Sequence, residues 1–119
     1  MSRDLSNPAS VADFLQKHPI CALYFTTPDC GVCKVLKPKL VQMLTERFPA
    51  IRFGQVDCAA APALAAHMGV FAVPTLIVFT DGRESLRKSR SFGLEELASA
   101  LERPYGLLLG KRPPFGNGK

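Results

Sequence analysis

The chain has 119 residues, 47% of them hydrophobic and 21% charged, with a net charge of +5. That length holds one domain with a real core and is too short for two, and the composition is that of an ordinary soluble globular protein, which makes a disulfide scaffold unnecessary. No apolar run reaches the roughly 20 residues of a membrane span, and Met1 to Asp4 lead into a polar segment without the apolar core of a signal peptide. The expected compartment is therefore the cytoplasm, where structural disulfides are rare.

In chain order, Leu5 fits a short strand, and Asn7-Pro8 opens a helix with Asn as cap and Pro in its first turn; Val11, Phe14 and Leu15 share a face before His18-Pro19 stops it. Ile20 to Phe25 is a nearly continuous apolar run, the pattern of a strand covered on both faces, and it leads through Thr26 to Cys30-Gly31-Val32-Cys33. From Lys34 to Phe48, residues Val35, Leu36, Leu40, Val41, Leu44 and Phe48 fit a helix of about four turns. Pro38 inside it removes a backbone donor and predicts a kink. Ile51 to Asp57 alternates as a second strand; Ala59 to Met68 is Ala-rich and helical, closed by Gly69.

The order strand-helix-strand-helix with short loops predicts an α/β fold with parallel pairing. Leu76 to Phe79 is a third run, Asp81-Gly82 is a hairpin turn, and Glu84 to Phe92 becomes a polar edge strand. Leu94, Leu97, Ala98 and Leu101 form a last helix, with Glu95 and Glu96 in its first turn. From Arg103 onward Pro and Gly predict an irregular tail, giving a domain over 1–102 and a tail over 103–119; Leu107 to Leu109 are candidates to dock on the domain. The positive charge is densest at Arg83, Arg87, Lys88 and Arg90 and at Lys111, Arg112 and Lys119. It reads as a solvated strand and tail, with a patch for acidic partners as the rival. With no Trp, and with Tyr24 and Tyr105 not interleaved among the basic residues, there is no stacking platform for nucleic acid.

Spacing alone makes Cys30 and Cys33 a weak signal, either catalytic or metal-binding. Context strengthens it: thiols three apart on a first helical turn lie on one side of it, and a helix N-terminus favours the thiolate, the attacking form.

A strand ending in CxxC, a helix with Pro38 five residues after Cys33, and Val73-Pro74-Thr75 before a hairpin together resemble the thioredoxin family over about residues 5 to 102. The resemblance implies a thioredoxin fold, a central mixed sheet of four to five strands flanked by helices. It implies that Cys30 is the exposed nucleophile and Cys33 the resolving thiol, with Gly31, Val32, Lys34 and Tyr24 around them. Pro74 is assigned the family's cis proline, and Val73, Thr75, Phe92 and Gly93 the substrate groove. Departures are specific: Thr26 and Asp29 stand where the family has Trp, Tyr24 where it has a buried Asp, Gln55 where it has Lys, and Val32 where Pro is common. No evident general base is then left for Cys33, and Asp29 opposes ionisation of Cys30.

Of the other candidates, Cys21 reads as a buried small hydrophobe. Cys58 reads as packing or as an extra redox thiol. Asp57 fits a strand end or cap, and His18 and His67 fit helix C-termini. The expectation is a thiol-disulfide oxidoreductase, monomeric, with no bound cofactor and no metal, acting on protein disulfides in cell redox homeostasis. A thioredoxin-reductase-type electron donor is implied by the family alone. The rivals are a protein-binding module with weak or no redox turnover, and metal binding at Cys30, Cys33 and Cys58.

Overall fold

The computed structural model describes residues 2–90 and 92–111. In order they form β1 (Ser2–Leu5), α1 (Pro8–Lys17), β2 (Ile20–Thr26), α2 (Gly31–Arg47), β3 (Arg52–Asp57), α3 (Pro62–His67), β4 (Thr75–Thr80), β5 (Arg83–Ser89) and α4 (Leu94–Lys111). The strands make one mixed sheet in the order β1-β3-β2-β4-β5. β3 runs parallel to both β1 and β2, while β4 is antiparallel to β2 and β5 to β4.

The apolar run of β2 sits at the centre of this sheet and is buried on both faces. Because side chains alternate, Ile20, Ala22 and Tyr24 pack with Leu40, Leu44, Leu97 and Leu101 under α2 and α4, whereas Cys21, Leu23 and Phe25 pack with Val11, Phe14 and Leu64 under α1 and α3. Tyr24 thereby points at the face that α2 covers. Gly54 in β3 is required by close approach: a Cβ there would lie 3.0 to 3.1 Å from Leu5, Leu23 and Phe14.

The expected hairpin at Asp81-Gly82 forms with both residues at positive φ, 49° and 81°, the geometry of a two-residue turn that suits the strand twist. Asn7 caps α1 reciprocally with Ser10, its Oδ1 accepting from the Ser10 amide at 2.8 Å. Two elements are shorter than their sequence patterns. Helix α3 starts at Pro62 because the Asp57 carboxylate takes the amides of Ala59 and Ala60 at 2.9 and 3.2 Å in a turn ahead of it. Strand β5 ends at Ser89 because Arg90 adopts φ 65° and leaves the strand.

The irregular tail expected from Arg103 is corrected for residues 103–111, which continue α4 through Pro104 to Lys111; residues 112–119 lie outside the described residues. Pro104 removes one helical donor, but the turn beyond it is held by tertiary contacts. The Tyr105 ring meets Phe48 edge-on at 5.0 Å, its hydroxyl accepts from the Ala50 amide at 3.1 Å, and Leu108 is only 4% exposed. Leu108→Ala is therefore expected to lower unfolding free energy by about 2 kcal/mol or more, whereas Leu107→Ala, at an exposed neighbour, shifts it by at most about 0.5 kcal/mol. Urea unfolding of both variants checks this.

Candidate active site

Strand β2 ends at Thr26, and residues 27–30 turn the chain into α2, whose N-cap is Cys30. The Cys30 amide donates to the Thr27 carbonyl at 3.2 Å, and Thr27 Oγ1 donates to Asp29 Oδ1 at 3.0 Å, so the loop is held by its own polar groups. Cys30 and Cys33 are joined by a disulfide with their Cα atoms 5.2 Å apart. The Cys33 amide also donates to Cys30 Sγ at 3.1 Å, the hydrogen bond by which a helix start satisfies an otherwise unused donor. In a reduced pair the same amide, with the partial positive charge of the helix end, stabilises a Cys30 thiolate. Cys30 is half-buried, and Cys33 is 1% exposed. Gly31 and Val32 between them face outward, with nothing within 4 Å of a Cβ placed on Gly31.

On the far side of the pair from solvent, Tyr24 is fully buried, and its hydroxyl donates to the Cys33 carbonyl at 2.8 Å. Burial pushes the Tyr24 pKa up to about 12, so the group stays a donor. Beside it lies a recess of about 290 Å3 whose lining includes Tyr24, Cys33, Lys34, Lys37, Gln55 and Asp57. The sequence marked Lys34 as support for the thiols; Lys37, one turn further on, shares its position at the recess. Gln55 and Asp57 come from β3, which parallel pairing brings to the same edge as the end of β2, with Thr26 opposite Asp57.

A second groove, which shares Thr27 with this recess, is lined mainly by apolar residues. The Val73-Pro74 peptide is cis, and this groove of about 330 Å3 runs past Thr27, Cys58, Ala65, Val70, Phe71 and Val73. Phe71 is 86% exposed, a large apolar side chain that hydrophobic periodicity had no reason to place at the site. Thr75 Oγ1 donates to the Ala72 carbonyl at 2.7 Å and lies 3.2 Å from Ser89 Oγ, from which it can accept, and the residue is buried. Thr75, assigned to the substrate groove by the family resemblance, braces the loop before Pro74 with its hydroxyl. The Arg90 amide donates to the Pro74 carbonyl at 2.6 Å from a left-handed backbone, which ties the end of β5 to the proline. Phe92 is half-buried against the α2 and α4 core, and Gly93 starts α4, its carbonyl accepting from Leu97.

The loop bearing Phe71 and Val73 is also anchored from the sheet edge. Arg87 donates to the Met68 and Gly69 carbonyls at 2.9 and 3.1 Å and pairs with Glu84, while Lys88 pairs with Glu96 at 2.9 Å. Two basic residues of β5, Arg87 and Lys88, are thus engaged with other parts of the fold. Cys58 is half-buried, its amide on the Thr26 carbonyl; burial first and the Asp57 carboxylate second push its thiol pKa up, which disfavours a reactive thiolate. Cys21 donates to the His18 carbonyl in the core, and burial pushes it to about 11. His18 and His67 occupy helix C-terminal positions, and among the described residues no group of three or more His, Cys, Asp or Glu gathers as for a metal.

Comparison with known proteins supplies the context for this geometry. The family model described as Thioredoxin matches residues 5–103. The chain is 33% identical to thioredoxin-like protein YdfQ of Bacillus subtilis over 107 residues, covering 90% of this chain and 95% of that protein. It is 38% identical to thioredoxin of Chlamydia muridarum over 73 residues, 61% of this chain and 68% of that one. The X-ray structure of Fasciola hepatica thioredoxin superposes with a TM-score of 0.76 at 26% identity, covering 85% of this chain and 97% of that chain.

The buried acids give the site an alkaline signature. Cys21 and Tyr24 ordinarily lose their protons at 9.0 and 10.0 but keep them to about 11 and about 12 in the folded protein. Across that window the unfolded chain has released protons that the folded one still holds, so stability falls as pH rises. Tyr24→Phe costs about 1 kcal/mol at neutral pH through the lost hydrogen bond but removes the upper part of the alkaline loss. Urea midpoints for the two proteins are expected to converge between about pH 8 and about pH 11.

Proposed function

The chain belongs to the thioredoxin family, and from that premise we propose that it reduces or exchanges disulfide bonds in proteins through Cys30 and Cys33. The observation that carries this reading is the bonded pair at the start of α2, with Cys30 at the surface side and Cys33 sealed beneath it. Cys30 thiolate attacks a substrate disulfide and forms a mixed disulfide; Cys33 thiolate then attacks Cys30 Sγ, forming the Cys30-Cys33 bond and releasing the reduced substrate thiol. Lys34 supports the thiolates by charge, and Gly31 and Val32 set the spacing. Val73, next to Pro74, presents its backbone to an extended substrate segment, with Phe92 and Gly93 flanking it.

The reaction calls for no bound cofactor, and electrons come from a reductase of the thioredoxin-reductase type. A monomer in the cytoplasm fits this role; among the described residues no helix is long and apolar enough to cross a membrane. The folded domain extends past residue 102 to include the last turns of α4.

A second reading, a protein-binding module with weak or no turnover, is favoured by the exposed Val32 between the cysteines and the exposed Phe71 in the loop before Pro74. Insulin reduction with dithiothreitol separates the two. Wild type accelerates it and Cys30→Ser abolishes the acceleration, while Cys33→Ser accumulates a mixed disulfide on Cys30. Equal background rates in all three proteins leave only the binding module. Alkylation mapped by mass spectrometry addresses Cys58: in the folded, reduced protein it is expected to react more slowly than Cys30 and to gain reactivity only on unfolding. Comparable rates for the two thiols would return Cys58 to the list of redox groups.

A further inference from the structure

The disulfide reading leaves one chemical question open at this site. Resolution needs the Cys33 thiol to lose a proton, and Tyr24, which lies directly beneath it, is a poor acceptor: its hydroxyl is committed as a donor to the Cys33 carbonyl. Burial also keeps Tyr24 protonated at neutral pH. In the polar recess against Cys33, Lys34 and Lys37 are cations, Gln55 and Thr26 do not titrate near neutrality, and Asp57 supplies the only carboxylate among the described residues that line it.

We propose that Asp57, at the end of β3, is the proton acceptor for Cys33. This rests on the disulfide-exchange reading above. In the step, the Cys33 Sγ–H proton passes to the Asp57 carboxylate as Cys33 Sγ attacks Cys30 Sγ; the Cys30-Cys33 bond forms, the bond from Cys30 to the substrate sulfur breaks, and the departing substrate thiolate takes up a proton. The recess of about 290 Å3 far exceeds the roughly 15 Å3 needed for one water, so a short water relay carries the proton.

The surroundings of Asp57 suit the role. Lys34 and Lys37 on α2 line the recess together with Asp57, and Tyr24 on β2 lines it as a protonated hydroxyl. On the opposite side a second recess holds Asp4 of β1 with Gln55, and the Gln55 amide donates to Asp4 at 3.5 Å, drawing that carboxylate toward β1's edge. Along β3, Cys58 is the adjacent titratable group, and its thiol pKa is pushed up by burial and by the Asp57 charge. The turn before α3 adds Ala60 and Ala61, which carry no side-chain charge, to the second recess. One carboxylate oxygen, Oδ1, accepts from Ala59 and Ala60, which anchors the residue.

That anchoring makes Asp57→Asn an informative variant, because the Asn carbonyl oxygen accepts the same two amides while giving up the proton-accepting charge. Insulin reduction by Asp57→Asn is expected to fall about tenfold or more at about pH 7, with the deficit shrinking as pH rises and hydroxide takes over deprotonation of the buried thiol. Alkylation of Cys30 by iodoacetamide in a Cys33→Ser background is expected to be unchanged by Asp57→Asn. Gln55→Glu added to Asp57→Asn returns a carboxylate to the recess and is expected to recover part of the neutral-pH rate. A wild-type-like rate in folded Asp57→Asn, or a loss of the same size at every pH, overturns the role of Asp57. If wild type itself shows no Cys30-dependent reduction, the disulfide-exchange reading fails first, and the two failures are told apart by that one control.

Discussion

Strand β2 is buried on both faces, with Cys21 to Phe25 at 0% exposure, and it is flanked by β3 on one side and β4 on the other. A slip of one residue would exchange its two faces, sending Tyr24 toward α1 and Phe25 toward α2. The core therefore fixes its register, and register fixes where the strand ends. The loop from Thr27 to Asp29 and the start of α2 inherit that position, and so do the two cysteines. Parallel pairing then places the end of β3 at the same edge, which is how residues distant in sequence from the CxxC come to line its polar recess.

The two flanks of the disulfide differ in chemistry because they are built by different layers. Toward α2 and β3 the surroundings are polar, with a tyrosine hydroxyl, two lysines, an amide and a carboxylate. Toward the loop before Pro74 they are apolar and partly open, with Val70, Phe71 and Val73. In the proposed reaction, a substrate segment would meet the apolar groove while the proton leaves through the recess that holds Asp57. Tyr24 fits this division, since a donor to the Cys33 carbonyl braces the start of α2 without adding a charge to a fully buried position.

Much of this was legible in the sequence, because β2, the CxxC, the hairpin and the amphipathic helices each carry a local signal that agrees with the global fold. The apolar run from Ile20 and the Asp81-Gly82 turn are such cases. What was not legible depended on contacts far apart in the chain. The Pro and Gly of residues 103–111 predict irregularity, and only Phe48 and Ala50, more than 50 residues earlier, show why the helix continues. The contacts of the Thr75 hydroxyl with Ala72 and Ser89 likewise had no signal in the local sequence. Asp57 read as a strand end or cap, and it ends β3 with its carboxylate holding the turn before α3; its place with Cys33 at one recess follows from strand order, and the signal available was that two parallel strands end at one edge. Phe71 has no sequence signal, since an isolated aromatic between Gly69 and Pro74 fits packing as well as exposure.

The open surroundings of Gly31 and Val32 bear on how such a protein diversifies. A side chain at either position meets solvent first, with no packed neighbour at Gly31 and Val32 60% exposed. Substitutions there leave the core and the strand register untouched while changing the immediate environment of both sulfurs. Selection can therefore adjust the chemistry of the pair and the stability of the fold through separate sets of residues, so a lineage can explore new redox tasks without first acquiring spare stability.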